Sequence, residues 1–315
     1  MGTTTAEFGR ETSTKGAFVR QRSAFRDRVT ADGSSGFPAA AGRYHLYVSL
    51  ACPWAHRAII VRELKGLQDA IAMTVVDPLR DERGWRFEPD RPDPLHGWTY
   101  LSEGYLASDP SFRGRVTVPV LWDTETGRIV NNESAEVIEM LHGEFDAFAV
   151  RPELDLWPEE LRAELTELNA WIYDDVNNGV YKSGFATTQE AYEAAVLPLF
   201  AALDRLDEHL TSRRYLGGAA QPTLADWRLF TTLVRFDAVY VSHFKCNLRR
   251  IADLPALQGY LRDLYQQPGV AATVDFDHIK RHYFMTHPTI NPHRVVPAGP
   301  VLDLDAPHGR EAVGA

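Results

Sequence analysis

Two cysteines in 315 residues, Cys52 and Cys246, are too few and too far apart to describe a disulfide framework. Such scarcity agrees with a reducing compartment. Long apolar runs are missing as well. No stretch approaches the roughly 20 residues that a bilayer-spanning helix needs, and the N-terminal residues lack the apolar core of a secretion signal. Positive charge is also scarce: Lys and Arg total 33 against 43 Asp and Glu, a formal net charge of -10. The arginines are scattered, and Arg249-Arg250 is too short to form a basic patch. This balance argues against nucleic acid or an anionic membrane surface as the main partner. The expectation is a soluble, cytoplasmic protein. The apolar fraction of 44%, with 11% aromatic, suffices for a sizeable core, and the length admits two domains.

Against this background Cys52 carries the most information. It follows the short alternating stretch Arg43-Tyr44-His45-Leu46-Tyr47-Val48 and opens Cys52-Pro53-Trp54-Ala55-His56-Arg57. The run from Trp54 to Gly66 predicts a helix, with Ala55, Ile59, Ile60 and Leu64 on one apolar face. Pro53 suits a first helical turn. A cysteine at such a helix start meets unpaired backbone N–H groups and the positive end of the helix dipole, and both favour thiolate over thiol. The competing reading is a buried cysteine serving as a small apolar residue. A dithiol redox motif would need a second cysteine where Ala55 stands. The expected chemistry is therefore one-thiol exchange through a mixed disulfide resolved by an external thiol. Cys246 is expected to be a buried spectator.

Residues 1–42 are polar and rich in Thr, Ser and Gly, and predict an extended arm with a helical or aromatic anchor around Phe18 to Phe25. A first compact domain, 43–150, follows: strand 43–48, helix 54–66, strand 71–76, an inserted loop 77–114, strands 118–122 and 128–130, and helix 133–142. This is the element order of an α/β thioredoxin-like domain. The insertion carries Trp85, Phe87, Trp98, Tyr100 and Tyr105; loops of its length usually serve a site or contain short structure. Residues 151–297 predict an all-α domain with helices at 159–176, 189–211, 223–240, 255–266 and 268–273. Within it Thr223 and Asp226 read as a reciprocal helix cap. The Pro/Gly/Ala-rich end, 298–315, predicts a flexible tail.

Two further motifs belong to the first domain. In Val116-Thr117-Val118-Pro119-Val120, a cis Pro119 would present the Val118 N–H and C=O beside the thiol, where they could pair with the backbone of a bound thiol peptide. Asn132-Glu133-Ser134-Ala135 precedes an apolar helical pattern. There the free N–H groups and the Ser134 hydroxyl can hold a carboxylate, while Glu133 can accept from an α-ammonium group. Plain helix capping would use the same residue types. Together with Cys52 and Pro119, the pair suits the zwitterionic head of a γ-glutamyl residue. The His278, His282, His287 and His293 series has no tight metal-ligand spacing, and no metal is expected.

Several longer segments resemble one family. They are Ser49 through Arg57, Gly84-Trp85-Arg86-Phe87, Arg115 through Asp123, Asn132 through Glu136, Asn178 through Ala186, Ala225 through Phe230 and Tyr240 through Asn247. In this fixed order, from about residue 10 to about residue 295, the chain resembles the glutathionyl-hydroquinone reductases, the xi class of glutathione transferases. The resemblance implies the glutathione transferase fold, a homodimer, glutathione as co-substrate and no metal. It further implies that Cys52 attacks the sulfur of a glutathionylated hydroquinone. It assigns glutathione binding to Trp85, Arg115, Val116, Thr117, Val118, Pro119, Glu133 and Ser134, with Trp85 stacking across the peptide. Tyr181 matches the proton donor of the family, and Tyr240 and Tyr283 its accessory hydroxyls.

Simple readings of these tyrosines remain open. Tyr240 lies in an apolar helical run and could be core, and Tyr283 could only pin the chain's last segment. Gly179 and Gly184 around Tyr181 suggest irregular backbone. An omega-like thioltransferase or dehydroascorbate reductase also works with one cysteine, but has no need of a tyrosine triple for carbon protonation. A non-catalytic ligandin would not need the nucleophile.

Overall fold

The computed structural model describes residues 12–314. It divides into two compact units. One contains Gln21–Leu154 and Thr273–Thr286; the other contains Asp155–Ala272, the chain from His287 onward, and the arm up to Arg20.

The first unit is built on a four-stranded sheet. Strand β1 (Tyr44–Val48) is buried along its whole length, His45 included, and lies inside the sheet with a neighbour on each side. It pairs in parallel with β2 (Ile71–Val75), Tyr44 opposite Ile71. A parallel pair needs a crossover, and helix α1 (Pro53–Lys65) supplies it. Gly66 ends α1 with φ 67°, a left-handed cap in which an added Cβ would meet Val150 at 2.6 Å. The inserted loop holds a small hairpin, β3 (Arg80–Asp81) and β4 (Gly84–Trp85), followed by α2 (Ser102–Ser108). Strands β5 (Val120–Asp123) and β6 (Arg128–Asn131) complete the sheet antiparallel, in the order β2-β1-β5-β6. Helix α3 (Ser134–Gly143) then packs beside α1.

The second unit is helical. Helix α4 (Arg162–Trp171) widens into a π-helical stretch, Ile172–Asn177, and leads to the short α5 (Gly179–Gly184). Helix α6 (Gln189–His209) is the longest, and α7 (Leu224–Arg235) again widens into a π-helical stretch, Phe236–Tyr240, before the turn α8 (Val241–His243) and helix α9 (Pro255–Tyr265). Asp226 closes the cap of α7 from a fully buried position. It accepts from the Thr223 backbone and hydroxyl at 2.7 Å each, from Leu216 N at 2.9 Å and from Tyr260 Oη at 2.7 Å.

Three features depart from the sequence expectation. Residues 276–286 form a helix, α10 (Phe276–Thr286), which belongs to the first unit rather than to the helical domain drawn as 151–297. His278 and His282, one turn apart, are both buried and complete an apolar stripe with Ile279 and Tyr283, so the polar letters hid the pattern. The backbone around Tyr181 is helical, not irregular. Residues 298–315 were expected to form a flexible tail, yet its described part is docked. Gln266 donates to the Leu304 and Ala306 carbonyls at 2.7 Å, Leu304 is buried, and the buried Arg310 guanidinium donates to the carbonyls of Leu210 and Arg214 at 3.0 Å. Arg310 fixes this segment, although its Pro/Gly-rich composition suggested none of this. The arm is extended as expected, with aromatic contacts at Phe18 and Phe25 and no helix among its described residues. Residues 1–11 of the predicted arm lie outside the described residues.

Candidate active site

Cys52 is the N-cap of α1, with extended backbone (φ −77°, ψ 118°) and Pro53 in the first turn. The residue is half-buried. Across from it the Val118–Pro119 peptide is cis, and the Cys52 Sγ lies 3.5 Å from the Val118 carbonyl oxygen. Two motifs 66 residues apart in sequence thus meet at one sulfur atom.

The segment leading to Pro119 is tied down by side chains. The Tyr105 hydroxyl donates to the Thr117 carbonyl at 2.8 Å and accepts from Thr117 N at 3.1 Å, and Asn132 Nδ2 donates to the same hydroxyl at 3.0 Å. Burial raises the Tyr105 pKa, so it stays a neutral double-acting hydroxyl. Val116 and Val118 are both buried. The Arg115 backbone N–H donates to Gln21 Oε1 at 2.8 Å, and desolvation lowers the Arg115 guanidinium to about 10.

Glu133 caps α3, accepting from Ala135 N at 3.3 Å, and its other carboxylate oxygen accepts from the Ser23 hydroxyl at 2.9 Å. Ser134 is buried, and its hydroxyl accepts from Arg57 Nη1 at 3.4 Å. Arg57, itself buried on α1, lies 4.5 Å over the Trp54 ring. Trp85 is buried on β4. One side of its indole is stacked on His282 (centroids 4.8 Å apart, planes at 24°), and the His282 Nδ1 is bonded to the Pro78 carbonyl at 2.8 Å. Tyr283, the next residue of α10, is buried in the same unit.

In the second unit, Tyr181 and Tyr240 come together with ring centroids 6.2 Å apart. Tyr181, on α5, is half-buried; the Arg20 guanidinium lies 4.9 Å over its ring while Arg20 Nε donates to Asn178 Oδ1 at 2.6 Å. Tyr240 ends the π-helical stretch, fully buried and stacked on Phe244 at 5.4 Å. Behind them His243 Nε2 meets His287 Nδ1 at 3.0 Å. Burial pushes His243 down to about 4, so it is neutral at physiological pH. Cys246 is fully buried, and burial pushes its thiol up to about 12.

Among the described residues, no group of three or more His, Cys, Asp or Glu is arranged to hold a metal ion, and no helix is long and apolar enough to cross a membrane.

Comparison with known proteins now decides the family. The family models for the glutathione S-transferase N-terminal and C-terminal domains match residues 51–144 and 189–263. Glutathionyl-hydroquinone reductase YqjG of Escherichia coli is 54% identical over 95% of this chain and 94% of its own. The chain belongs to the glutathionyl-hydroquinone reductases, the xi class of glutathione transferases. Glutathionyl-hydroquinone reductase PcpF of Sphingobium chlorophenolicum is 50% identical, covering 93% of this chain and 92% of its own. The glutathione-bound structure of YqjG superposes with a TM-score of 0.89 over 92% of this chain and 96% of that one. The glutathione-S-transferase Xi of Phanerochaete chrysosporium gives a TM-score of 0.88 at 52% identity, over 92% and 95% of the two chains. The thioredoxin-like unit and the helical unit are thus those of the glutathione transferase fold.

Several residues that hold the site were not singled out from sequence: Gln21, Ser23, Arg57 and Asn132. Arg57 stands five positions after Cys52, within reach of the same helix end, which is a usable signal. Gln21 and Ser23 have none, because their partners lie about a hundred positions away.

Proposed function

We propose that this enzyme reduces glutathionyl-hydroquinones to hydroquinones, with glutathione as the second substrate. The observation that carries the reading is the half-buried Cys52 at the start of α1, its sulfur 3.5 Å from the Val118 carbonyl. The amides of the first turn favour an anionic sulfur. The Cys52 thiolate attacks the glutathione sulfur of the conjugate, forming a Cys52–glutathione disulfide. The aryl carbon–sulfur bond breaks, its electron pair passes to the ring carbon, and a proton is added there. A glutathione thiolate then attacks the sulfur of the bound glutathionyl group, releasing glutathione disulfide and regenerating the Cys52 thiolate. Over the cycle Cys52 returns unchanged; the thioether sulfur and one glutathione thiol sulfur each lose one electron to become the disulfide, and the aryl carbon gains two and a proton, so the electrons balance.

The remaining residues take the following parts. Glu133 accepts from the γ-glutamyl ammonium, while Ser134 and the α3 amides receive its carboxylate. The Val118 backbone pairs with the cysteinyl unit, the 115–117 segment and Pro119 shape its surroundings, and Trp85 offers its indole to the peptide. Tyr181 supplies the proton to the ring, and Tyr240 and Tyr283 hydrogen-bond the phenolic oxygens. A homodimer acting in the cytoplasm completes the reading.

The test is an assay of glutathionyl-hydroquinone turnover with glutathione, run beside the Cys52→Ala and Tyr181→Phe forms. Hydroquinone release should vanish without Cys52. Conjugate reduction that survives in Cys52→Ala overturns the mechanism, and disulfide exchange faster than conjugate reduction favours a thioltransferase.

A further inference from the structure

The arm approaches the candidate glutathione-binding residues through hydrogen bonds that hold specific atoms. Its backbone is locked to the residue before Glu133, because Phe25 N donates to Asn132 Oδ1 and Asn132 N donates to the Phe25 carbonyl, each at 3.1 Å. Arg26 and Asn131 form an antiparallel bridge one step further on. This fixes the register of Ser23, whose hydroxyl reaches Glu133 Oε2 at 2.9 Å and the Asn132 carbonyl at 3.3 Å. A hydroxyl has one proton to give, and the shorter, charged contact is the stronger one. Two residues earlier, the Gln21 side-chain amide brackets the Arg115 backbone, accepting from its N–H at 2.8 Å and donating to its carbonyl at 3.4 Å.

We propose that Ser23 is a positioning residue for the γ-glutamyl head, acting through Glu133. This rests on the reading of Glu133 as the acceptor for the ammonium group. The carboxylate holds one donor on each oxygen, Ala135 N on Oε1 and Ser23 Oγ on Oε2. Both torsions of its carboxyl end are thereby set before ligand arrives. About four lone-pair directions are available on a carboxylate and two are used, so acceptor capacity remains for the ammonium. Without Ser23 the glutamate would have to be ordered at the moment of binding, at a cost in rotamer freedom that lowers affinity.

The experiment is calorimetric titration of glutathione into the full-length Cys52→Ser protein, which binds without chemistry. It compares Ser23, Ser23→Ala and Ser23→Thr, with the first two repeated in a Glu133→Gln background. We expect Ser23→Ala to weaken glutathione about five- to tenfold and Ser23→Thr to restore affinity to within about twofold. In the Glu133→Gln background, Ser23→Ala should add less than about twofold. Thermal midpoints within a few degrees of the parent confirm that the arm is folded. Unchanged affinity in Ser23→Ala overturns the proposal, as does an equal loss in both backgrounds, which would mean the arm acts on the fold and not on the carboxylate. Should Glu133→Gln itself bind glutathione like its parent, the reading of Glu133 fails first and the proposal with it.

Discussion

Cys52 and Cys246 lie one in each compact unit, and they differ in exposure, in backbone setting and in neighbours. Cys52 caps a helix start, is half-buried, and its sulfur lies 3.5 Å from a carbonyl oxygen contributed by a distant loop. Cys246 is fully buried near the Val180 and Phe244 carbonyls, and burial pushes its thiol up to about 12 against the opposing pull of Ser183 and Lys245. The residue type is the same in both places; only the surroundings separate the proposed nucleophile from a filler. The units differ in the same sense. The first ties polar side chains to the backbone of the 115–118 segment and to the Glu133 carboxylate. The second packs aromatic rings on the π-helical stretch Phe236–Tyr240, with Phe236 against Phe200 and Tyr240 against Phe244.

The largest expected effect is on alkylation. In the folded protein at neutral pH, iodoacetamide should modify Cys52 at least roughly a hundredfold faster than Cys246, as read from peptide masses. Comparable rates would erase the contrast. Next comes the tyrosine pair. Tyr181→Phe should slow conjugate reduction by about a hundredfold while disulfide exchange with small substrates changes little, because only the former needs a proton delivered to carbon. Parallel losses in both reactions would assign Tyr181 a general packing role.

A stability effect of similar size in equilibrium terms should arise in the second unit without touching the sulfur. Asp226→Ala removes a buried carboxylate with four hydrogen-bond donors, and should lower unfolding free energy by roughly 3 kcal/mol. Chemical denaturation checks this; a loss below about 1 kcal/mol would mean the cap is redundant.

The smallest effect concerns pH and involves both units. His45 and His243 are each pushed down to about 4, primarily by burial. The unfolded chain takes up protons below about 6.5 while the folded protein does not, so stability is fully present above pH 6.5 and falls as pH drops towards 4. Replacing either by Gln or Phe should flatten the stability profile between pH 6.5 and 4; an unaltered slope would move the titration elsewhere.

The sulfur's surroundings could be read from sequence because they rest on local rules. A Cys-Pro pair after a strand names a helix start, a Val-Pro before another strand names its neighbour, and Asn-Glu-Ser names a cap; β1, β2, β5, β6, α1 and α3 follow to within a residue or two. What escaped is physical in origin. A π-helical turn adds a residue that an apolar repeat does not register, so Ile172–Asn177 and Phe236–Tyr240 read as plain helix. Helix α10 hides its stripe behind two buried histidines. The stacking of His282 on Trp85 and the Ser23–Glu133 bond join residues roughly a hundred or more positions apart, and nothing local announces them.

The central claim is that one thiolate takes the glutathionyl group directly from the aromatic conjugate. Mixing the enzyme with an equal amount of glutathionyl-hydroquinone, in the absence of free glutathione, and weighing the intact protein tests this in a single turnover. The account predicts free hydroquinone and a protein heavier by one glutathionyl group, mapped to the peptide containing Cys52 and removed on adding glutathione. Hydroquinone release with no mass added, or an adduct carried on Cys246, would contradict it.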